Sequence, residues 1–222
     1  EIMMNTKTVN AVKRLNKILP LAERQQKLDK ETAEVYQNIL HSYVERGASL
    51  SRTEIAQQVD NIDECIGVLT QNDMVVFDSN DEPIGAYPFT MEQREHEVTV
   101  NGHIVHSMCA LDALAVSPMF ELETSIHSCC HVSKKPVAIH QHKHELLDAD
   151  NNHDVFFGIS WNSAANNCCA TSLCTEMIFL KGEQLAHQWQ AEDADNREIF
   201  HLRDAIEFAA GFFVPLITRQ TA

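Results

Sequence analysis

Apolar residues recur at helical spacing through the first third of the chain. Val9, Val12, Leu15, Ile18 and Leu19 mark one face over residues 5–19, and Pro20 closes that run. Tyr36, Ile39, Leu40, Tyr43 and Val44 form a second stripe from about Glu31 to Arg46, with Gly47 placed to end it in the left-handed conformation. Ser51-Arg52-Thr53-Glu54 has the form of a capping box and opens a short helix through Ile55, Ala56 and Val59. Asn61 caps another, carrying Ile62, Ile66 and Leu69. Met74–Phe77 then reads as a strand, Asp78–Glu82 as a polar turn and Ile84–Phe89 as a second strand. Helix–turn–helix followed by a hairpin is a winged-helix pattern.

Past residue 95 the texture changes to strands. Val98–Val100 and His103–Val105 flank Asn101-Gly102, a strong hairpin signal. A helix over 108–116 should stop at Ser117-Pro118, because proline disfavours helical geometry at its predecessor. Glu123–Cys129, Pro136–Gln141, Asp154–Trp161 and Glu176–Leu180 are further candidate strands, and residues 183–190 and 198–210 close the chain as helices. The expected fold is α+β: a helical, winged-helix-like module over 1–92, then a mixed-sheet domain with flanking helices over 93–222.

Charge narrows the partners. The net charge of −15 opposes non-specific attraction to nucleic acid or to an anionic membrane. The helix that would read DNA, Asn61–Asn72, has no Lys or Arg and two acids, so the module is expected to be structural. No run approaches the roughly 20 apolar residues of a membrane span. The opening residues lack the apolar core of a secretory signal, so the cytoplasm is the expected compartment.

Seven cysteines, at 65, 109, 129, 130, 168, 169 and 174, exclude a fully paired disulfide framework. Their clustering between 109 and 174 points to thiol chemistry or a soft metal. Within Cys109-Ala110-Leu111-Asp112, a thiol and a carboxyl sit three apart on a helix and share one face. Ser107 as N-cap would put Cys109 in the first turn, where unpaired amide N–H groups favour the thiolate. Burial and a neighbouring thiolate would both raise the Asp112 carboxyl. The pair is thus a soft nucleophile beside a proton-holding acid.

Other constellations carry less. His140, His142 and His144 alternate on one strand face with His153 beyond, but they read as a solvated strand end beside Lys143 and Glu145. Cys129-Cys130 and Cys168-Cys169 are vicinal, and neither has the Cys-x-x-Cys spacing of zinc or thioredoxin-like sites. Phosphate-loop and nucleophile-elbow patterns are lacking.

These residues together resemble the organomercurial (alkylmercury) lyase family. The resemblance begins at Gly47-Ala48-Ser49-Leu50-Ser51-Arg52-Thr53, runs through Ile84-Gly85-Ala86-Tyr87, and is most specific at Cys109-Ala110-Leu111-Asp112. Ser128 and Cys130 fit the family's next cysteine; Cys174, Met177, Phe179, Leu180, Trp189 and Phe208 fit its tail. Met108 and Leu180 stand where the family has aromatics, and the region before Cys174 is longer. The resemblance implies that Cys109 and a second cysteine capture mercury, with Asp112 handling the proton and placed as a candidate further contact to the metal. Cys174 fits the frame of that second cysteine, with Cys168 or Cys169 the competitor. It further implies organomercurial substrates, no cofactor beyond external thiol, and mercuric reductase as acceptor of the Hg(II) held by Cys109 and Cys174. The alternative from another class is a non-catalytic thiol sensor or metallochaperone for heavy metals.

Overall fold

The computed structural model describes residues 5–162 and 173–217, a mixed α and β fold. Five helices come first: α1 (Thr6–Ile18), α2 (Leu21–Gln26), α3 (Lys30–Arg46), α4 (Arg52–Ala56) and α5 (Ile62–Gln71). Their ends follow local chemistry, which the sequence reading finds at Gly47, Ser51 and Asn61 but not at Asn5 or Asp29. Asn5, Asp29, Ser51 and Asn61 accept backbone N–H groups at the starts of α1, α3, α4 and α5; the Ser51–Glu54 box is complete, and Gly47 ends α3 at φ 76°. The short α2 was not expected from the sequence.

Strands β1 (Val76–Phe77), β2 (Pro83–Ala86), β3 (Phe89–Thr90), β4 (His96–Val100) and β5 (His103–Ser107) lead into helix α6 (Ala110–Phe120). Then come β6 (Glu123–Cys129), β7 (Pro136–His142) and β8 (Glu145–Leu146). These eight strands make one sheet, ordered β1-β2-β3-β5-β4-β6-β7-β8, which continues across residue 92. The expected strand over 84–89 is split in two by a turn at Tyr87-Pro88. Asn101 and Gly102 both take positive φ (49° and 77°), which a tight hairpin between β4 and β5 requires.

A second sheet holds β9 (Val155–Ser160) between β10 (Met177–Lys181) and β11 (Arg197–His201). Helix α7 (Glu183–Ala191) lies between β10 and β11, and α8 (Leu202–Phe213) follows. All six residues of β9 are buried. Gly158 leaves room for Trp189: a Cβ there would stand 2.9 Å from the indole ring. The helix expected over 198–210 is corrected here, since its first residues form β11. Ile199 and Phe200 pair with Gly158 and Phe157, and that tertiary pairing outweighs the helical pattern of the downstream residues.

Helix α6 lies between the layers, and residues 110–119 are all buried. A helix apolar on every side belongs in a core. It packs on α8, on β4 to β7, and on β10. The expected stop at Ser117-Pro118 is also corrected, because Pro118 sits inside the helix. Proline cannot bond the carbonyl four residues back. Here the buried Gln141 side chain on β7 donates Nε2 to the Leu114 carbonyl at 3.0 Å, and to Lys143 O at 2.9 Å. Ser117 Oγ accepts the Lys143 N–H at 2.7 Å. The sheet thus supplies the partner that proline lacks.

Removing that partner leaves a buried carbonyl unsatisfied. Gln141→Leu should therefore destabilise the protein by about 1–3 kcal/mol in urea unfolding. An unchanged unfolding midpoint would show that the Leu114 carbonyl needs no such bond.

Candidate active site

The site sits where β5 hands over to α6. Cys109, not Ser107, is the N-cap of the helix: its backbone is extended (φ −151°, ψ 176°), and its Sγ accepts the Asp112 N–H at 3.4 Å. A sulfur thus fills the place usually taken by a Ser, Thr or Asp oxygen. Asp112 lies in the first turn, facing the same interior as Cys109. Cys174 comes from the other layer, on a short 3-10 turn (Cys174–Glu176) that leads into β10.

The structure brings the three together. One ligand atom from each of Cys109, Asp112 and Cys174 lies within 4.8 Å of the others, and no other group of described residues converges in this way. All three are buried, at 0%, 1% and 3% exposure. Neither Cys109 nor Cys174 is in a disulfide. One Asp112 carboxylate oxygen, Oδ2, is buried without a hydrogen-bond partner among the described residues, so the cluster holds an unsatisfied acceptor facing two sulfurs.

Burial governs the protonation of the site. It pushes the Cys109 thiol up to about 11, and the Asp112 charge adds to this, against the opposing hydrogen bonds from Cys174 and the Asp112 N–H. The expected stabilisation of a Cys109 thiolate by the helix start is therefore reversed, because one N–H contact does not offset complete loss of solvent. Asp112 rises to about 7, chiefly through burial, while bonds from Cys109 and the nearby Arg94 charge pull it down. The resting cluster is close to neutral. Thiolate character comes when a metal displaces the thiol proton.

Among residues that sequence reasoning left without a role, Cys130 is buried, and its Sγ accepts the N–H groups of Ser133 (3.4 Å) and Lys181 (3.3 Å). Burial pushes this thiol up, but hydrogen bonds from Ser133, Lys181 and Val132 outweigh it and hold the thiol below its usual value. This contact ties the loop after β6 to β10, the strand that follows Cys174. The histidines stay apart: His144 Nδ1 bonds Glu207 at 2.9 Å, His153 Nδ1 bonds Asp150 O at 2.9 Å, and His140 lies 3.5 Å from Ser125 Oγ. Cys168 and Cys169 lie outside the described residues. A surface cavity of about 820 Å³ between α3 and the end of α6, lined by His41, Arg46 and Phe120 among others, contains no thiol. Arg94 and Gln141 carried no motif that could have marked them.

The sequence pattern of the alkylmercury lyase family, MerB, matches residues 89–214, more than half of the chain. Among solved structures, the crystal structure of the mercury-bound form of MerB2 is similar, with a TM-score of 0.72 and 18% sequence identity. That likeness covers 90% of this chain and 98% of the other, and at such identity it concerns the fold. No curated protein matches the chain.

Accessibility makes the first test of the cluster. Native protein treated with iodoacetamide at pH 7 should leave Cys109 unmodified while the part-exposed Cys129 reacts, with Cys109 labelled only after denaturation. Labelling of Cys109 at the rate of a free cysteine would contradict both its burial and its raised pKa.

Proposed function

The chain belongs to the alkylmercury lyase family, and on that premise we propose that Cys109 and Cys174 take the mercury of an organomercurial while Asp112 delivers the proton that frees its carbon. The protein is an organomercurial lyase: it breaks the carbon–mercury bond and yields a hydrocarbon and Hg(II). The observation that supports this division of labour is the convergence of two thiols and one carboxyl in a buried site.

The chemistry follows from softness and proton count. Mercury is a soft acceptor, so thiolates are its natural ligands. The first thiol displaces the substrate's leaving ligand and gives it a proton. The second thiol adds to mercury, and its proton passes to the ionised Asp112 carboxylate, which a pKa of about 7 leaves available at neutral pH. Two sulfurs donating to mercury push electron density onto carbon, and Asp112 then protonates that carbon as the C–Hg bond breaks. One thiol proton thus leaves with the displaced ligand and the other leaves in the hydrocarbon. Hg(II) remains on Cys109 and Cys174, with Asp112 Oδ2 in reach of it. Cys174 is preferred to Cys168 or Cys169 because it lies within the cluster. The bond cleavage needs no cofactor, since the metal arrives with the substrate; external thiol, in the cytoplasm, exchanges the product off the site towards mercuric reductase.

Residues 1–92 serve in this reading as a structural, winged-helix-like module, and residues 93–222 carry the chemistry. Tyr43 of α3 stacks on Phe89 at 4.6 Å, His41 meets Phe120 of α6 edge-on at 5.4 Å, and Asn101 Nδ2 donates to Val44 O at 3.1 Å. These contacts set the module against the sheet and the catalytic helix. Its α5 has no basic residue, which fits neither DNA contact nor the alternative role of a DNA-bound sensor. No helix of the described residues is long and apolar enough to cross a membrane.

Phenylmercury with excess small thiol should yield benzene. Cys109→Ser and Cys174→Ser should each abolish turnover, and Asp112→Asn should still take up mercurial while losing about 10²–10⁴-fold in rate. Full activity in the Cys174 variant, with loss at Cys168 or Cys169, would move the second thiolate. At micromolar concentration the protein should show no salt-dependent binding to mixed-sequence duplex DNA, and a binding curve that falls with salt would refute the structural assignment of the module.

A further inference from the structure

The two sulfurs of the site stand as a pair before any mercury arrives. Cys174 hydrogen-bonds to Cys109, and both sulfurs lie within 4.8 Å of each other and of an Asp112 carboxylate oxygen. Both cysteines are buried, so an occupant that leaves a net charge on the site is penalised by the lack of solvent. The other described cysteines are placed differently. Cys129 and Cys130 are neighbours whose sulfurs go separate ways: the part-exposed Cys129 donates to Glu95 Oε2 at 3.4 Å, whereas the buried Cys130 accepts the Ser133 and Lys181 N–H groups. Cys65 lies on α5, beside Thr32 of α3.

We propose that Cys109 and Cys174 also bind trivalent monoorganoarsenicals, compounds of the form R–As(OH)₂, and hold them as a bis-thiolate that is not cleaved. This deepens the reading of the site as a two-sulfur clamp and rests on Cys174 being its second thiol. The exchange balances without a base or an oxidant. Two As–O bonds break, two As–S bonds form, and each thiol proton leaves with a hydroxide as water. Arsenic stays trivalent throughout. The arsenical enters neutral and the product, R–As bridged by two cysteine sulfurs, is neutral as well, so no charge is stranded out of solvent. Trivalent arsenic is a soft acceptor with three positions to fill, and one carbon and two sulfurs fill them.

Charge counting also explains why the carbon stays in place. With mercury, two thiolates and a carbanionic carbon on Hg(II) make a three-coordinate complex with one negative charge. That excess density is what a proton collects at carbon. With arsenic the three-coordinate complex has no net charge, and its most available electron pair sits on arsenic. The bound arsenical therefore matches the mercury complex in ligand set but gives Asp112 no carbon to protonate. Asp112 has no part in the exchange either, since both thiol protons leave in water. Burial raises the Cys109 thiol to about 11, so near neutral pH this cysteine carries the proton that the exchange consumes. The protonated thiol that resists an alkylating agent is the form that the arsenical takes.

Phenylarsine oxide, which hydrates to the R–As(OH)₂ form, is the probe, with the full-length protein kept anaerobic. After gel filtration in excess mercaptoethanol, which strips arsenic from single thiols, the parent should retain arsenic and lose it to the dithiol dimercaptopropanol. Two sulfurs hold one atom about 10²-fold or more tightly than one sulfur does. Cys109→Ser and Cys174→Ser should each weaken retention by at least that factor, while Asp112→Asn and Cys129→Ser bind like the parent. One equivalent of Hg(II) added first should block uptake, a check that needs no variant. The bound arsenical should stop benzene release from phenylmercury and yield no benzene itself. The proposal is overturned if the parent holds no arsenic against monothiol, if either cysteine variant holds as much as the parent, if prior Hg(II) leaves uptake unchanged, or if the arsenical is cleaved. A protein that holds arsenic but releases no benzene from phenylmercury would leave this inference standing and count against the proposed mercury chemistry. One that cleaves phenylmercury but holds no arsenic would do the reverse.

Discussion

Everything in this molecule depends on keeping two thiols and a carboxyl out of water. Cys109, Asp112 and Cys174 are each almost fully buried, two of them at the start of a helix that is itself buried through residues 110–119. In such a place a charge without a partner costs several kcal/mol, so the Cys109 thiol keeps its proton until a cation arrives. An organomercurial brings the cation. Its positive, polarisable mercury neutralises the thiolates that its own arrival creates. The same burial that makes Cys109 a poor free nucleophile makes it selective for a soft metal. It also lifts Asp112 to about 7, so that in the proposed reaction the carboxyl can both take the second thiol's proton and give it to carbon near neutral pH.

The two sulfurs come from different layers. Cys109 ends the β5 run of the eight-stranded sheet, and Cys174 precedes β10 of the three-stranded one. Their separation is therefore set by how the sheets meet. That junction is held by the Cys130 sulfur accepting the Lys181 N–H, and by His131 N–H donating to Phe179 O at 2.8 Å. Phe179 also packs edge-on against His96 at 5.7 Å, a further contact across the same seam. A single-sheet site would fix its ligands by strand register alone. Here the fit of one sheet on the other decides whether mercury meets two sulfurs or one.

Much of this was legible in the chain and some was not, for physical reasons. Helix caps are local, so Ser51, Gly47 and Asn61 announced their helix ends in sequence. The Asn101-Gly102 hairpin is equally local. Cys109 and Asp112 could be paired from helical spacing. Their protonation could not, because the N-terminal helix effect is visible in sequence and complete burial is not. The Pro118 stop failed for a similar reason: the bond that rescues the helix comes from Gln141, on a strand two elements away. Strand β11 was hidden because its edge pairing with β9 is a tertiary choice. Cys174 was nominated by resemblance to a family, and no spacing rule would have linked it to Cys109 across 65 residues.

The proline in α6 shows how these constraints act together. A helix buried on every face gains nothing from amphipathic placement, so its position must come from directional bonds at its ends and at any break. At the N-terminal end the bond is the Cys109 sulfur itself. At the break it is Gln141, reaching from β7 into the carbonyl that Pro118 leaves free, with Ser117 fastening the following hairpin. These two anchors lie on opposite sides of Asp112, and together they fix both the rotation and the depth of the helix. The carboxyl can therefore face the sulfurs without a hydrogen-bonding partner of its own for Oδ2. That unsatisfied oxygen is tolerable in a protonated acid. In the proposed reaction the carboxyl becomes the place where a departing proton leaves its negative charge, at the moment Hg(II) is bound beside it.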